Sequence, residues 1–438
     1  MPSKKGMREK MKNKKVAFIT LGCKVNQYES NGMAQKLQEE GYEIVEINEK
    51  PDIAIVNTCT VTNMSDRKSR QMLRKVKDGK KNAIVVAVGC YAQVAKEALE
   101  KMDEIDLVLG NTEKNNIVEY IQKFLESNQK IYEVSDISKQ KEFCDFGTTT
   151  YTEKARASIK IQDGCNNFCT YCAIPYARGR IRSRQAQSII DEVTEIAKKG
   201  IKEIVITGIH IASYGKDLNG YMLIDLLEDL NKIDGIKRIR LGSLEPTIVT
   251  EKFAQRLSKL EKICNHFHLS LQSGCDETLK RMNRHYSTEE FKNCVQILRK
   301  YFKDVNLTTD IIVGFPGETD KEFEITYEFL SSIKFYKMHI FKYSKRDGTK
   351  AAVMPNQIDG NIKEARSKRL IELSNENQAE YNKKYEGRKL EVLFEEKDGE
   401  YFVGHTTNYM RIRSKEANIS ENDFYDVTIG LNAQICQI

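Results

Sequence analysis

Three cysteines, Cys165, Cys169 and Cys172, stand in the run DGCNNFCTYC (163–172) with Cys-x3-Cys-x2-Cys spacing. Thiolates this close in sequence can share a metal centre, and three of them leave one position open. A four-iron cluster takes four ligands, so a three-cysteine loop frees one iron for an exchangeable ligand, whereas a structural zinc is normally closed by a fourth Cys or His. The nearest His is His210 and the nearest further Cys is Cys144. The spacing points to a cofactor site with one open position; a zinc completed by a distant ligand is the alternative. A disulfide framework fits poorly, because 11 Cys, an odd number, are spread over 438 residues behind no signal-peptide core. Gly164, Asn166 and Asn167 suit a solvent-facing loop.

A second set of cysteines is dispersed. Cys23, Cys59 and Cys90 each follow a short apolar run, at 16–21, 53–56 and 83–88, with helix-patterned stretches at 30–41 and 65–77 between them. This reads as an α/β unit with buried parallel strands, and ligands in such sheets gather beyond the carboxyl ends of the strands. The three cysteines sit at that end and can converge. A fourth run, 105–109, has no Cys after it, so the placement is not automatic. Cysteines also pack at strand ends as ordinary buried residues; the other reading is a second three-thiolate cluster with its own open iron.

These sites need elements to hold them. A polar stretch over 129–150 reads as a linker, and six further strand-like runs follow at 157–161, 203–207, 238–241, 267–271, 307–313 and 335–341, with helical patterns between them at 188–199 and 288–301. Six βα repeats predict a partial parallel (βα)6 barrel with its chemistry on loops at the strands' carboxyl ends. Gly208, Ser243, Gln272 and Gly314 follow such strands. Short alternating strands at 389–394, 401–403, 409–413 and 426–429 predict a small C-terminal β-barrel. There Lys383, Lys384, Arg388, Lys389, Arg411 and Arg413 interleave with Tyr385, Tyr401, Phe402 and Tyr409, a mixture that can hold phosphates and stack bases but also clothes ordinary β-barrels. The expected domains are a basic tail (1–14), an N-terminal α/β domain (15–128), the linker (129–150), the barrel (151–376) and the C-terminal domain (377–438). With 70 basic against 63 acidic residues the chain favours polyanions only mildly. No apolar run approaches the roughly 18 residues that span a bilayer, so no membrane association and a reducing cytoplasm are expected.

The motifs LGCKVNQYES (21–30), NTCTV (57–61), GCY (89–91), GCNNFCTYC (164–172), PYARGR (175–180), LQSG (271–274) and GFPG (314–317) occur in this order. Together they resemble the radical S-adenosylmethionine (SAM) methylthiotransferases over nearly the whole chain. The run GCKVNQYE most resembles the branch acting on N6-threonylcarbamoyladenosine in tRNA; the isopentenyladenosine branch and the ribosomal-protein branch, which modifies an Asp, differ after the first Cys. The resemblance implies an N-terminal methylthiotransferase domain, a radical SAM core and an RNA-binding TRAM domain. It implies two [4Fe-4S] clusters, one on Cys165, Cys169 and Cys172 that cleaves SAM to a radical, one on Cys23, Cys59 and Cys90 that carries the sulfur. Two SAM per turnover would methylthiolate C2 of the adenosine at position 37, in the tRNA anticodon stem-loop.

Other roles follow from the same resemblance. No residue beyond the clusters is assigned to catalysis. Tyr171, Gly208, Glu245, Gln272 and Gly314 are candidates for the SAM pocket; no acid occupies 208–210, where many superfamily members grip the SAM amino group. Arg178, Arg180, Arg182 and Arg184, with Arg67, Arg70 and Arg74, could neutralise tRNA phosphates, as could Lys384, Arg388 and Arg411; the alternative for the arginine runs is a solvated face. A flavodoxin- or ferredoxin-type electron donor is implied, and the sulfur source is open. The rival class is a zinc-containing RNA-binding protein without catalysis.

Overall fold

The computed structural model describes residues 13–148, 155–416 and 418–431. Most of the basic tail, residues 1–12, and Cys436 lie outside the described residues.

The N-terminal part is one parallel sheet of β1 (Lys15–Thr20), β2 (Glu43–Ile44), β3 (Ile53–Thr58), β4 (Ile84–Gly89), β5 (Leu107–Leu109) and β6 (Ile131–Glu133), in the order β2-β1-β3-β4-β5-β6. Apolar residues fill both faces of each central strand because helices cover both. All six residues of β3 are buried, Ile53 and Ile55 in one core, Ala54 and Val56 in the other. β6 corrects one expectation: part of the supposed linker is the sixth strand, with Ile131 beside Leu107. Farther along, Phe146 is buried edge-on to Tyr28. An edge strand of three residues with one exposed carries too weak a pattern to read in sequence.

The central part contains β7 (Arg156–Asp163), β8 (Arg182–Ser183), β9 (Glu203–Gly208), β10 (Arg238–Leu241), β11 (His266–Gln272), β12 (Asn306–Val313) and β13 (Lys337–Lys342). Sheets β10-β9-β7-β8 and β11-β12-β13 are joined by parallel bridges Ile239 to Ile263 and Leu244 to Leu269. The six parallel strands thus form the expected partial barrel, with β8 a short antiparallel addition. The intervening helices begin where the sequence stops them fraying: Ser287 and Glu290 form a capping box before Thr288–Tyr301, and Thr319 and Glu322 another before Asp320–Ile333.

The last helix, Gly360–Lys383, runs past the expected boundary at 377 and hands the chain to β14 (Lys389–Asp398), β15 (Tyr401–Thr406), β16 (Arg411–Ser414) and β17 (Asp423–Thr428). These form an antiparallel sheet, β16-β15-β14-β17. This is the small C-terminal β domain expected, with β16 and β17 as the sheet's edges among the described residues. No helix of the described residues is long and apolar enough to cross a membrane.

Candidate active site

The loop after β7 carries Cys165, Cys169 and Cys172. Gly164 allows its tight entry: φ is +72°, and a Cβ there would lie 1.8 Å from the Arg180 carbonyl oxygen. The loop is cradled by residues 281–284, since Thr170 N donates to Met282 O (3.0 Å), Thr170 Oγ1 to Arg281 O (2.8 Å) and Asn283 Nδ2 to Asn167 O (3.0 Å). Arg284 Nη1 then lies 3.3 Å from Cys169 Sγ, and its Nη2 3.3 Å from Glu245 Oε1. Glu245 also accepts from Asn167 Nδ2 (2.9 Å) and pairs with His210 Nε2 (2.8 Å). Burial opposes the Glu245 charge, but His210, Arg284 and Asn167 outweigh it and hold its carboxyl at about 2. Burial pushes the Cys165 thiol to about 11 and Cys172 to about 12, so metal loading must displace protons from both.

Cys23, Cys59 and Cys90 follow β1, β3 and β4, which are neighbours in the sheet, so the expected convergence is present. Asn26 Nδ2 donates to Leu21 O (2.7 Å) and Thr58 O (3.0 Å), tying the first two loops together. Gly22, at φ +102°, passes so close that an added Cβ would lie 2.9 Å from both Cβ and Sγ of Cys59. Burial raises the Cys23 and Cys59 thiols.

Arg178 connects the two sites. It ends the helix Ile174–Arg178, just beyond Cys172, and its Nε lies 3.1 Å from Cys90 Sγ. Around it, four buried cations (Lys114, Lys160, Arg178 and Arg182) face two buried carboxylates (Glu29 and Asp163). The excess of two positive charges beside Cys90 suits thiolates, which carry negative charge into a cluster. Among the described residues, the three-residue set of His, Cys, Asp or Glu whose ligand atoms all lie within 4.8 Å of one another is His268, Asp310 and His339. Both cysteine triplets are wider. One tetrahedral zinc with Zn–S of about 2.3 Å would hold its sulfurs about 3.8 Å apart, closer than all three sulfurs of either triplet stand to one another.

The arginine run at 178–184 requires correction. Arg178, Arg182 and Arg184 are buried, with Arg184 donating to Glu192 and, at 3.1 Å, to Tyr28 Oη; they join the N-terminal domain to the barrel and present nothing to RNA phosphates. Arg180 alone is exposed, 4.4 Å over the Phe168 ring. Arg67 and Arg74 are exposed, whereas Arg70 Nη1 donates to Tyr91 Oη at 2.6 Å. Lys384, Arg388 and Arg411 are exposed, but Tyr385 is buried and Tyr409 is sandwiched between His266 and His405 at 4.6 Å each, so neither ring is a free stacking platform.

Tyr171, Gly208, Glu245, Gln272 and Gly314 all lie at or beyond carboxyl ends of barrel strands. Tyr171 packs edge-on to Phe315 (6.4 Å). Gly208 approaches the Gln162 carbonyl oxygen, 3.0 Å from where a Cβ would sit. Gln272 ends β11 at φ +75°. Gly314 turns away, against the Lys363 stem, and its N donates to Glu318 Oε1 at 3.0 Å. Sequence reading missed Arg284, Asn283 and Asn167 as supports of the cysteine loop; the one local signal is Asn283, a residue type that tolerates its left-handed φ of +57°.

A cavity of about 790 Å³ lies between the N-terminal domain and the barrel. Its walls include Gly22, Cys23 and Lys24 from one side and Thr207, Gly208, Gly242 and Ser243 from the other, with inward-facing residues of β11–β13 between.

Residues 159–330 match the radical SAM superfamily and residues 15–110 the uncharacterized protein family UPF0004. The chain is 42% identical over 403 residues to the threonylcarbamoyladenosine tRNA methylthiotransferase MtaB of Bacillus subtilis, covering 91% of this chain and 89% of that protein. The MtaB of Aquifex aeolicus is 42% identical over 86% of this chain and 92% of its own. The tRNA-2-methylthio-N(6)-dimethylallyladenosine synthase of Clostridium novyi is 37% identical, over 87% and 86%. Among solved structures, the radical SAM methyltransferase TsrM of Kitasatospora setae shares the fold, with a TM-score of 0.59 at 14% identity over 78% of this chain and 77% of that one.

Proposed function

This chain belongs to the radical SAM methylthiotransferase family, and on that premise we propose that it methylthiolates C2 of N6-threonylcarbamoyladenosine at position 37 of tRNA. The observation that carries the reading is a cavity with Cys23 in one wall and, in the other, Gly208 and Ser243 at barrel strand ends, Ser243 lying two residues before Glu245. Cys165, Cys169 and Cys172 hold one [4Fe-4S] cluster, and Cys23, Cys59 and Cys90 a second. When bound, the first with SAM supplies the electron and radical that activate a C–H bond, and the second supplies sulfur for methylation by another SAM.

The chain's own residues orient and insulate these groups. Arg284 sets a cation against Cys169, and Glu245, kept ionised by His210 and Arg284, is the carboxylate placed to accept from the SAM amino group. Gly208 and Tyr171 shape the rest of that pocket. A base is reached only when extruded from its stack into the cavity. The C-terminal sheet serves as the TRAM domain, and Arg67, Arg74, Arg180, Lys384, Arg388 and Arg411 hold the anticodon stem-loop. A flavodoxin- or ferredoxin-type protein donates electrons, and the enzyme works in the cytoplasm.

The test is nucleoside analysis of tRNA from a strain lacking this chain. Loss of 2-methylthio-N6-threonylcarbamoyladenosine is expected; loss of the isopentenyl analogue alone rejects the assignment. Anaerobic reconstitution should give about eight iron per chain, falling to about four when Cys165, Cys169 and Cys172 become Ala. A wild-type value near four would remove the second cluster.

A further inference from the structure

Strand register fixes what lines the barrel. His268, Thr308 and Lys337 lie in one row across β11, β12 and β13, and Asp310 and His339 in the next. Alternate residues point the other way: Phe267, Leu269, Leu307, Ile311 and Met338 are buried in the barrel's main core. Parallel barrels ordinarily fill their interior with branched apolar side chains. Here the inward set is polar and bounds the cavity instead.

The charge of that lining is lopsided. Asp310 is its one carboxylate among the described residues, and His268 Nε2 sits 3.1 Å from it. Against it stand Lys24, Lys337, Arg240 and Arg411. Arg240 is committed to Glu203 (2.9 Å), and Arg411 lies 3.9 Å from Asp398. Lys24 and Lys337 have no carboxylate of the described residues within 4.0 Å. Both are exposed along the open side of the cavity, and two ammonium groups there without a carboxylate partner favour an occupant with negative charge of its own.

A threonylcarbamoyl group on N6 carries a free α-carboxylate, whereas a dimethylallyl group is wholly apolar and offers neither lysine a partner. We propose that Lys337, with His339 beside it and Lys24 across the cavity, binds the carboxylate of an amino-acid group on N6 of the target adenosine, and thereby selects an acidic adenosine over one with an apolar N6 substituent. This rests on the tRNA reading above and names the chemical feature read at the same site. Backbone phosphate is the other anion an RNA offers, but it stays on the outside of the strand when a base is extruded.

The experiment measures binding of three anticodon stem-loop RNAs to the reconstituted full chain by fluorescence anisotropy. They are identical except at the target, which is N6-threonylcarbamoyladenosine, its methyl ester, or unmodified adenosine. Wild type should bind the acid about 10-fold or more tighter than the ester, as expected for a charge-assisted contact in a recess. Lys337→Gln should shrink that ratio to about 3-fold or less with little change for the unmodified RNA. Equal wild-type affinity for acid and ester overturns the proposal alone, and this comparison decides even if the variant does not fold. Equal weakening of all three RNAs by Lys337→Gln assigns the lysine to phosphate and also overturns it. Absence of binding to any of them sinks both this proposal and the tRNA reading.

Discussion

Arg178→Met isolates the buried ionic joint between the N-terminal domain and the barrel. Arg178 is fully buried and donates from Nη2 to Glu29 Oε2 (2.9 Å) and Asn26 Oδ1 (2.6 Å) and from Nη1 to Asp163 Oδ2 (3.2 Å). Methionine keeps the length and apolar stem but removes every donor and the charge. Breaking a buried pair by deleting one partner costs about 3–5 kcal/mol. Here neither carboxylate is stranded, because Glu29 retains Lys114 and Lys160, and Asp163 retains Lys160 at 2.6 Å. The cost therefore belongs at the lower end, about 3 kcal/mol. In a chain of this size each kcal/mol moves the midpoint by about 1 °C, giving about 3 °C. Calorimetry of apoprotein at pH 7.5 reads this, and a multidomain chain is judged by the first transition rather than by a two-state fit. Arg178→Lys, which restores one charge but not the fork, should recover only part of the loss. A shift below about 1 °C for the methionine variant would mean that the network carries little, and the argument from burial and pairing would be wrong.

Three further outcomes follow from the geometry. Gly22→Ala places a Cβ on Cys59 at a left-handed φ, so reconstituted iron should fall from about eight to about four per chain while the Cys165 site keeps its share; full occupancy would refute the close approach. Burial opposes the charge of Glu203, but Arg240, Arg156 and Arg238 outweigh it and depress its carboxyl below the ordinary 4.5. A depressed carboxyl contributes stability above its unfolded value and loses it as pH falls toward the folded one. The Glu203→Gln melting curve should therefore start lower at pH 7 and decline less below pH about 4.5 than wild type; parallel curves would count against it. Arg284→Met removes a cation 3.3 Å from Cys169 Sγ, and the potential of the cluster held there should drop by on the order of tens of millivolts in an EPR-monitored titration. An unchanged potential would exclude that contact.

What could be read from sequence was whatever repeats locally. Cys23, Cys59 and Cys90 were legible because each follows a strand in a parallel sheet, where loops at one end share a neighbourhood whatever their separation along the chain. The fate of the arginines was not legible: Arg178 pairs with Glu29, 149 residues away, and a run of alternating arginines reads as surface until such partners are known. Arg284 escaped notice for the same reason, its thiol contact being 115 residues back. The polar lining of the barrel is a different case. His266 and His268, Thr308 and Asp310, and Lys337 and His339 each stand two apart, with the buried neighbours Phe267, Thr309 and Met338 between them. The outer face of these strands is covered by helices, and the polar set faces the open cavity, with Lys337 and His339 exposed and His268 and Asp310 half-buried. Such a lining suits a polar ligand, and the two lysines left without carboxylates favour an anionic one over water alone.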